Sequence, residues 1–195
     1  RDANVFVSVN DRVIGGFVFD DHIKENASSV VSSLKNYGIK TYMFTGDNAS
    51  FAKIVAENTG IDEYKAEMLP QEKFKELEDL QKHHQVMFVG DGINDAPSLV
   101  EADVGISMGS IGSNSAIEAS DIVIMNDDLE GIPTMLHIAH KTKRIIMMNL
   151  IFSIGIKLLI LVLAMFGIAH MAAAVFADTG VTLLAILNSL RILKD

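Results

Sequence analysis

The 195-residue sequence predicts an α/β domain built on a parallel sheet, followed by an α-helical transmembrane hairpin. Two observations predict this. Between residues 20 and 130, short apolar runs alternate with amphipathic stretches, the order that gives a parallel sheet covered by helices. From Ile145 to Ile168 the chain is apolar except for Asn149, Ser153 and Lys157, and from Met171 to Leu193 except for Asp178, some hydroxyls, Asn188 and Arg191. Each stretch is long enough to cross a hydrocarbon core of ~30 Å, which takes about 20 helical residues. The composition agrees, with 49% hydrophobic residues and a mean hydropathy of +0.30.

The elements follow in order. The chain runs from Arg1-Asp2-Ala3-Asn4 straight into the alternating Val5, Val7 and Val9, which reads as a strand met in mid-protein, so the sequence is expected to be a piece of a longer one. Ile23, Ala27, Val30, Val31 and Leu34 recur at helical spacing and stop at Gly38, a natural carboxyl-terminal cap. A strand over Thr41 to Phe44 comes next, then a helix marked by Phe51, Ile54 and Val55 that ends near Gly60. Pro70 opens a helix running to about Lys82, because proline in the first turn gives up no hydrogen bond. Val86 to Val89 is the next strand, and shorter units follow around Val104 to Ile106, Ala116 to Ala119 and Ile122 to Met125. The last two strands each begin just after a carboxylate, Asp103 or Asp121. The sum is a Rossmann-like sheet, whose ligands bind at the carboxyl ends of the strands. From Gly131 the pattern passes through Pro133 into the first apolar stretch without a turn signal, so one long helix is expected to leave the domain, enter the membrane and couple the two parts.

Charge is divided along the chain. Residues 1 to 140 carry 10 Lys and Arg against 23 Asp and Glu, a net of −13, and residues 141 to 195 carry 6 against 2, a net of +4. An acidic domain with scattered bases is a poor nucleic-acid binder, since phosphate backbones require a basic surface. Cysteine is absent, which excludes disulfides and thiolate metal sites from this sequence. Lys141, Lys143 and Arg144 precede the first span, Arg191 and Lys194 close the second, and the connection near Gly167 to His170 has no Lys or Arg. Both outer ends are therefore expected on the cytoplasmic side.

Two turns carry the chemistry. Val89-Gly90-Asp91-Gly92-Ile93-Asn94-Asp95-Ala96-Pro97 sets two carboxylates and an amide on a glycine-rich turn directly after an apolar strand, and Thr45-Gly46-Asp47-Asn48 follows another. Phosphoryl transfer needs donors and positive charge around the phosphate oxygens, and a metal bridging carboxylate and phosphate. Asp91 and Asp95 suit Mg²⁺, which takes few carboxylates and keeps several waters. The Thr45 hydroxyl and the Gly46 amide can donate to phosphate oxygens, and Lys73 can reach the same site as a point charge. Plainer readings stand beside these: Asp47-Asn48 as a helix N-cap, Lys73 as a solvated helix residue, and the longer motif as an ordinary turn.

The series Thr45-Gly46-Asp47-Asn48, Leu69-Pro70 with Lys73, Val89 to Pro97 and Ala102-Asp103-Val104-Gly105-Ile106-Ser107-Met108-Gly109 resembles the phosphorylation domain of P-type ATPases, within the haloacid-dehalogenase-like superfamily. The resemblance covers essentially the whole chain. It implies that Thr45, Gly46, Asp47 and Lys73 serve an aspartyl phosphate, that Asp91 and Asp95 organise Mg²⁺, and that Asn94 hydrogen-bonds near the phosphoryl group. It implies ATP as the phosphoryl donor. It also implies an organisation: residues 1–20 as the end of a nucleotide-binding domain, 21–130 as the carboxyl-terminal part of a phosphorylation domain, and 131–195 as a stalk and two transmembrane helices. The family's Asp-Lys-Thr-Gly phosphorylation motif and Thr-Gly-Glu loop do not occur in this sequence, and Lys24-Glu25 stands where the family often has Arg-Pro. The phosphorylated aspartate, and with it a central strand, is therefore expected from the remainder of the pump, leaving the sheet of this chain incomplete.

Charges within a membrane span are costly and mark function. Lys157 lies 11 residues before Ile168 and Asp178 lies 9 after Ala169, so at ~1.5 Å per residue both sit roughly 14 to 16 Å from the hairpin turn. Either they form a neutralising ion pair, or Asp178 is a ligand for a transported cation with Lys157 as its countercharge. Phe176-Ala177-Asp178-Thr179-Gly180 with Lys157 resembles the zinc, cadmium and lead branch of heavy-metal P-type ATPases. Met165 and Met171 read as packing residues rather than soft-metal ligands. The sequence thus leads to the expectation of the carboxyl-terminal part of a pump exporting Zn²⁺, Cd²⁺ or Pb²⁺, an integral protein of the plasma membrane with its phosphorylation domain in the cytoplasm. The alternatives are a pump of copper or cobalt specificity and a catalytically inactive membrane module that binds or regulates.

Overall fold

A computed structural model describes residues 5–17, 22–90, 93–109, 117–126, 128–168 and 171–194. It divides into two units, residues 1–129 and 130–195.

In the first unit, β1 (Val5–Val9) and β2 (Arg12–Phe17) form an antiparallel hairpin in which Val9 pairs with Arg12. The two-residue loop is Asn10-Asp11, both at positive φ (49° and 61°), the conformation that matches strand twist in tight hairpins and that Asn and Asp tolerate. The remaining elements are α1 (Ala27–Asn36), β3 (Tyr42–Phe44), α2 (Ala49–Thr59), β4 (Glu63–Lys65), α3 (Pro70–Gln81), β5 (Met87–Gly90), a 3₁₀ turn (Ile93–Asp95), α4 (Ala96–Glu101), β6 (Val104–Met108) and β7 (Ile122–Ile124). All pairings of β3 to β7 among the described residues are parallel, but they fall into two pieces: β3 with β4, and β5–β6–β7. Among the described residues β3 and β5 are not hydrogen-bonded to each other.

Most helix ends lie where the sequence places them. Gly38 and Gly60 adopt left-handed backbone (φ 74° and 80°), and Ile39 N–H reaches back to Leu34 O to close α1. Asn48 caps α2 by accepting from Phe51 N–H at 2.8 Å. One boundary differs. Ile23 was expected to open the first helix, yet α1 begins at Ala27, because the chain first makes a turn in which Ala27 N–H bonds Lys24 O and the Asn26 amide is drawn to Asp128 at 2.7 Å. The stretch around Ala116 to Ala119 and the pair Asp20-Asp21 fall partly or wholly outside the described residues. The core lies under the helices: Val30 and Leu34 from α1, Ala52 and Ala56 from α2, Leu77 from α3 and Leu99 from α4, with Ile106 of β6 completely buried.

A repeated device finishes the amino-terminal edge of these sheets. Asp62, directly before β4, accepts from Thr41 N–H (2.9 Å); Asp103, directly before β6, accepts from Val86 N–H (2.8 Å); Asp121, directly before β7, accepts from Gly105 N–H (2.9 Å). Each carboxylate thus satisfies an amide at the start of the neighbouring strand that the ladder leaves open. Asp62 also meets Lys35 at 2.8 Å and the Thr41 hydroxyl at 2.8 Å. Lys35 first, then the Thr41 amide and hydroxyl, hold its carboxyl well below the usual carboxylate range.

The second unit is a helical hairpin, α5 (Gly131–Met165) and α6 (Met171–Ser189), continued by a 3₁₀ turn over Leu190–Lys194. Both helices are long and apolar enough to cross a membrane. At ~1.5 Å per residue the 35 residues of α5 reach about 52 Å, some 20 Å more than a hydrocarbon core requires. The surplus is the polar first third, with His137, His140, Lys141, Lys143 and Arg144. Gly167 (φ 73°) ends α5, with Ile168 N–H bonded to Leu163 O.

Candidate phosphate and ion sites

Both candidate turns sit at carboxyl ends of parallel strands. Thr45 directly follows β3, and its hydroxyl donates to Asp47 Oδ2 at 2.6 Å while accepting from Asp47 N–H at 3.1 Å. The loop is tied down from the far side, since Met68 N–H bonds Thr45 O and Glu67 N–H bonds Asp47 O. Asp47 is therefore engaged by Thr45, and the N-cap role belongs to Asn48 alone. Gly46 is exposed, with room for a ligand to approach its amide.

Lys73 and Asp95 form the second couple, Nζ to Oδ1 at 3.6 Å, both mostly buried with 21% and 17% of their side chains exposed. Lys73 reaches Asp95 from the first turn of α3, which starts at Pro70 under a cap in which Leu69 N–H donates to Glu72 Oε2 at 2.8 Å. Lys73 is thus a paired, half-buried base rather than a solvated one. Asp95 is held at the start of α4 by two glycines. A side chain on Gly90 would place its Cβ 2.8 Å from Asp95 Cβ, and one on Gly105 would place its Cβ 2.2 Å from Leu99 O. Their bareness lets α4 settle on the sheet and bring a carboxylate to the end of β5.

Asn94 is exposed on the adjoining 3₁₀ turn, and Asp91 lies outside the described residues. The described part of this turn fits Mg²⁺ in its donor chemistry, since it sets a half-buried carboxylate oxygen, a hard ligand, at a strand end.

In the hairpin, Lys157 Nζ meets Asp178 Oδ1 at 2.8 Å across α5 and α6. They line a shallow cleft of about 320 Å³ with Ile160, Ala164, Ala174 and Ala177. Their common depth thus brings the two charges into contact, the first of the two arrangements the sequence left open. A second polar link went unrecognised in the sequence. Asn149 Nδ2 donates to Ala185 O (3.1 Å) and Ser189 Oγ (3.0 Å), and Asn188 Nδ2 donates back to Asn149 Oδ1 (2.8 Å), with Arg191 on Asn188 Oδ1 at 3.3 Å. Its signal was two amides interrupting two apolar stretches at matching depth. Met165 lies at the end of α5 on the surface of this two-helix unit, 81% exposed.

The family model for haloacid dehalogenase-like hydrolases matches residues 2–103, just over half of the chain. The chain belongs to this family. Its parallel sheet, with acidic and hydroxyl-bearing turns at the carboxyl ends of strands, is the fold that the family implies. Curated relatives narrow the likeness. The cadmium, zinc and cobalt-transporting ATPase of Bacillus subtilis (strain 168) is 45% identical over 97% of the chain, which spans 28% of that protein. The zinc-transporting ATPase of Synechocystis sp. is 45% identical over 97% of the chain, which spans 27% of it. A crystal structure of a zinc-transporting PIB-type ATPase in its E2·Pi state superposes with a TM-score of 0.85 at 36% identity, over 96% of the chain and 31% of that structure. The chain thus covers under a third of the length of these metal-transporting ATPases.

Proposed function

We propose that the chain is the phosphate-handling and ion-releasing part of an ATP-driven exporter of divalent heavy-metal cations, with zinc, cadmium and lead as cargo. The observation that carries this reading is the Lys157–Asp178 pair, two opposite charges joined within a hairpin apolar enough to cross a membrane. Such charges are retained in spans where they serve ions. Similarity to zinc- and cadmium-transporting ATPases supports the cargo, and cobalt joins it because the Bacillus relative is named for cobalt as well.

In this reading residues 1–20 complete a nucleotide-binding domain, 21–130 belong to the phosphorylation domain, and 131–195 are stalk and membrane helices. Both basic ends of the hairpin lie in the cytoplasm, in a plasma-membrane protein. The phosphorylated aspartate comes from the remainder of the pump. The Gly46 amide donates to the equatorial phosphoryl oxygens, the Thr45 hydroxyl joins it by turning its one proton from Asp47 to the phosphate, Asn94 donates beside them, and Lys73 supplies positive charge. Asp91 and Asp95 would hold Mg²⁺, which when bound offsets the negative charge of the phosphoryl group.

Asp178 takes the transported cation, and its negative charge is then shared between cargo and Lys157. With a divalent ion beside it the ammonium is repelled, and its return to Asp178 displaces the ion outward. The test is the zinc-stimulated ATPase activity of the full-length pump. Asp178→Ala is expected to abolish it, and zinc stimulation undiminished in that variant overturns the ion assignment.

A further inference from the structure

The face of the sheet under α4 is set by register and alternation. Phe88 pairs with Gly105 and Gly90 with Ser107, and parallel partners share a face, so these four residues point the same way. The two glycines fix which way that is: towards Leu99 of α4 from Gly105, and towards Asp95 from Gly90. Ser107 lies beside Gly90 on the next strand, two residues beyond Gly105. Its hydroxyl therefore points into the space beneath the amino-terminal end of α4.

Ser107 is completely buried and its Oγ has no hydrogen-bond partner. Buried hydroxyls are normally bonded, and an alanine of nearly the same shape would avoid the loss. Neighbouring strands lie about 4.8 Å apart. A side chain at Gly90 would begin 3.2 Å from Asp95 Oδ2, and Ser107 is the register partner of Gly90 on the same face, so its hydroxyl and this oxygen border the same space under α4. The two carboxylate oxygens are divided: Oδ1 faces Lys73, and Oδ2 faces the sheet.

We propose that Ser107 is a positioning residue for Asp95, its hydroxyl donating to the carboxylate when Asp95 engages Mg²⁺ and thereby holding it in one orientation. The inference rests on the reading of Asp95 as a Mg²⁺ carboxylate, and the experiment separates the two. In the full-length protein, wild type, Ser107→Ala and Asp95→Asn are titrated with Mg²⁺ alone, reading the shift in melting temperature. The half-saturating Mg²⁺ concentration for ATP hydrolysis is measured alongside. Ser107→Ala is expected to melt no lower than wild type without Mg²⁺, yet to need about ten- to a hundredfold more Mg²⁺ for the half-maximal shift, the effect of one hydrogen bond to a charged group. Asp95→Asn is expected to lose more. A Mg²⁺ requirement unchanged by Ser107→Ala but raised by Asp95→Asn overturns the role of Ser107 alone. A clearly lower melting temperature of Ser107→Ala without Mg²⁺ overturns it too, since the hydroxyl would then be satisfied in the metal-free state. A requirement unchanged in Asp95→Asn overturns both the reading of the site and the inference built on it.

Discussion

Replacing Gly105 by alanine should injure the phosphate site from a distance. The new Cβ would lie 2.2 Å from Leu99 O, 3.0 Å from Leu99 C and 3.3 Å from Leu99 Cα. All three are backbone atoms, so no side chain can swing aside. Restoring an ordinary contact of about 3.4 Å requires α4 to lift by about 1.2 Å, which also loosens the buried Leu99 and Ala102. Overpacking of this kind costs about 1 to 3 kcal/mol, and backbone against backbone belongs at the upper end. For a unit of about 150 to 250 residues that unfolds on its own, this is a fall of about 6 to 12 °C in the melting temperature of that unit. Asp95 opens α4 and moves with it, and a displacement of about 1 Å at a reacting centre can cost on the order of 10²-fold in rate. The assay is thermal melting together with metal-stimulated ATP hydrolysis in the full-length protein. A Gly105→Ala variant that melts within a degree or two of wild type and keeps its activity would refute the argument that this glycine seats the helix.

Two further outcomes are expected. Asp62 has a folded-state pKa depressed by Lys35 and by the Thr41 amide and hydroxyl, so its contribution is fully present above the unfolded value of about 3.9 and is lost as pH falls below it. Melting of Asp62→Asn should therefore decline less steeply than wild type from about pH 4 downward; parallel curves would count against the pairing. Asn149→Leu removes three interhelical hydrogen bonds that average about 0.6 kcal/mol each in membranes. A loss of about 1 to 2 kcal/mol in detergent-titrated unfolding is expected, and no loss would mean the amides are satisfied as well by other partners.

Much of this was legible in the sequence because it is written in local chemistry. Gly38, Gly60 and Pro70 mark helix ends through backbone conformation alone, and the common depth of Lys157 and Asp178 follows from counting residues from one turn. What was not legible depends on tertiary contact. Gly105 reads as one more small residue until Leu99 is found against it, and Ser107 as a polar residue in a strand until its burial is known. Asn149 and Asn188 are 39 residues apart, and only the antiparallel packing of α5 on α6 turns two interruptions into one link. The later start of α1 has the same origin, since Asn26 answers to Asp128, over a hundred residues away.

The three aspartates that close the starts of the strands bear on a puzzle of charge. A domain with a net of −13 should repel a phosphate group. Yet Asp62, Asp103 and Asp121 stand at the amino-terminal ends of the strands and Thr45 and Asp95 beyond the carboxyl ends, separated by about 10 Å along the three residues of β3 and about 13 Å along the four of β5. Both exceed the screening distance of ~8 Å at physiological ionic strength. The sheet therefore acts as a spacer that sets part of the domain's own negative charge more than one screening length from the candidate phosphate site.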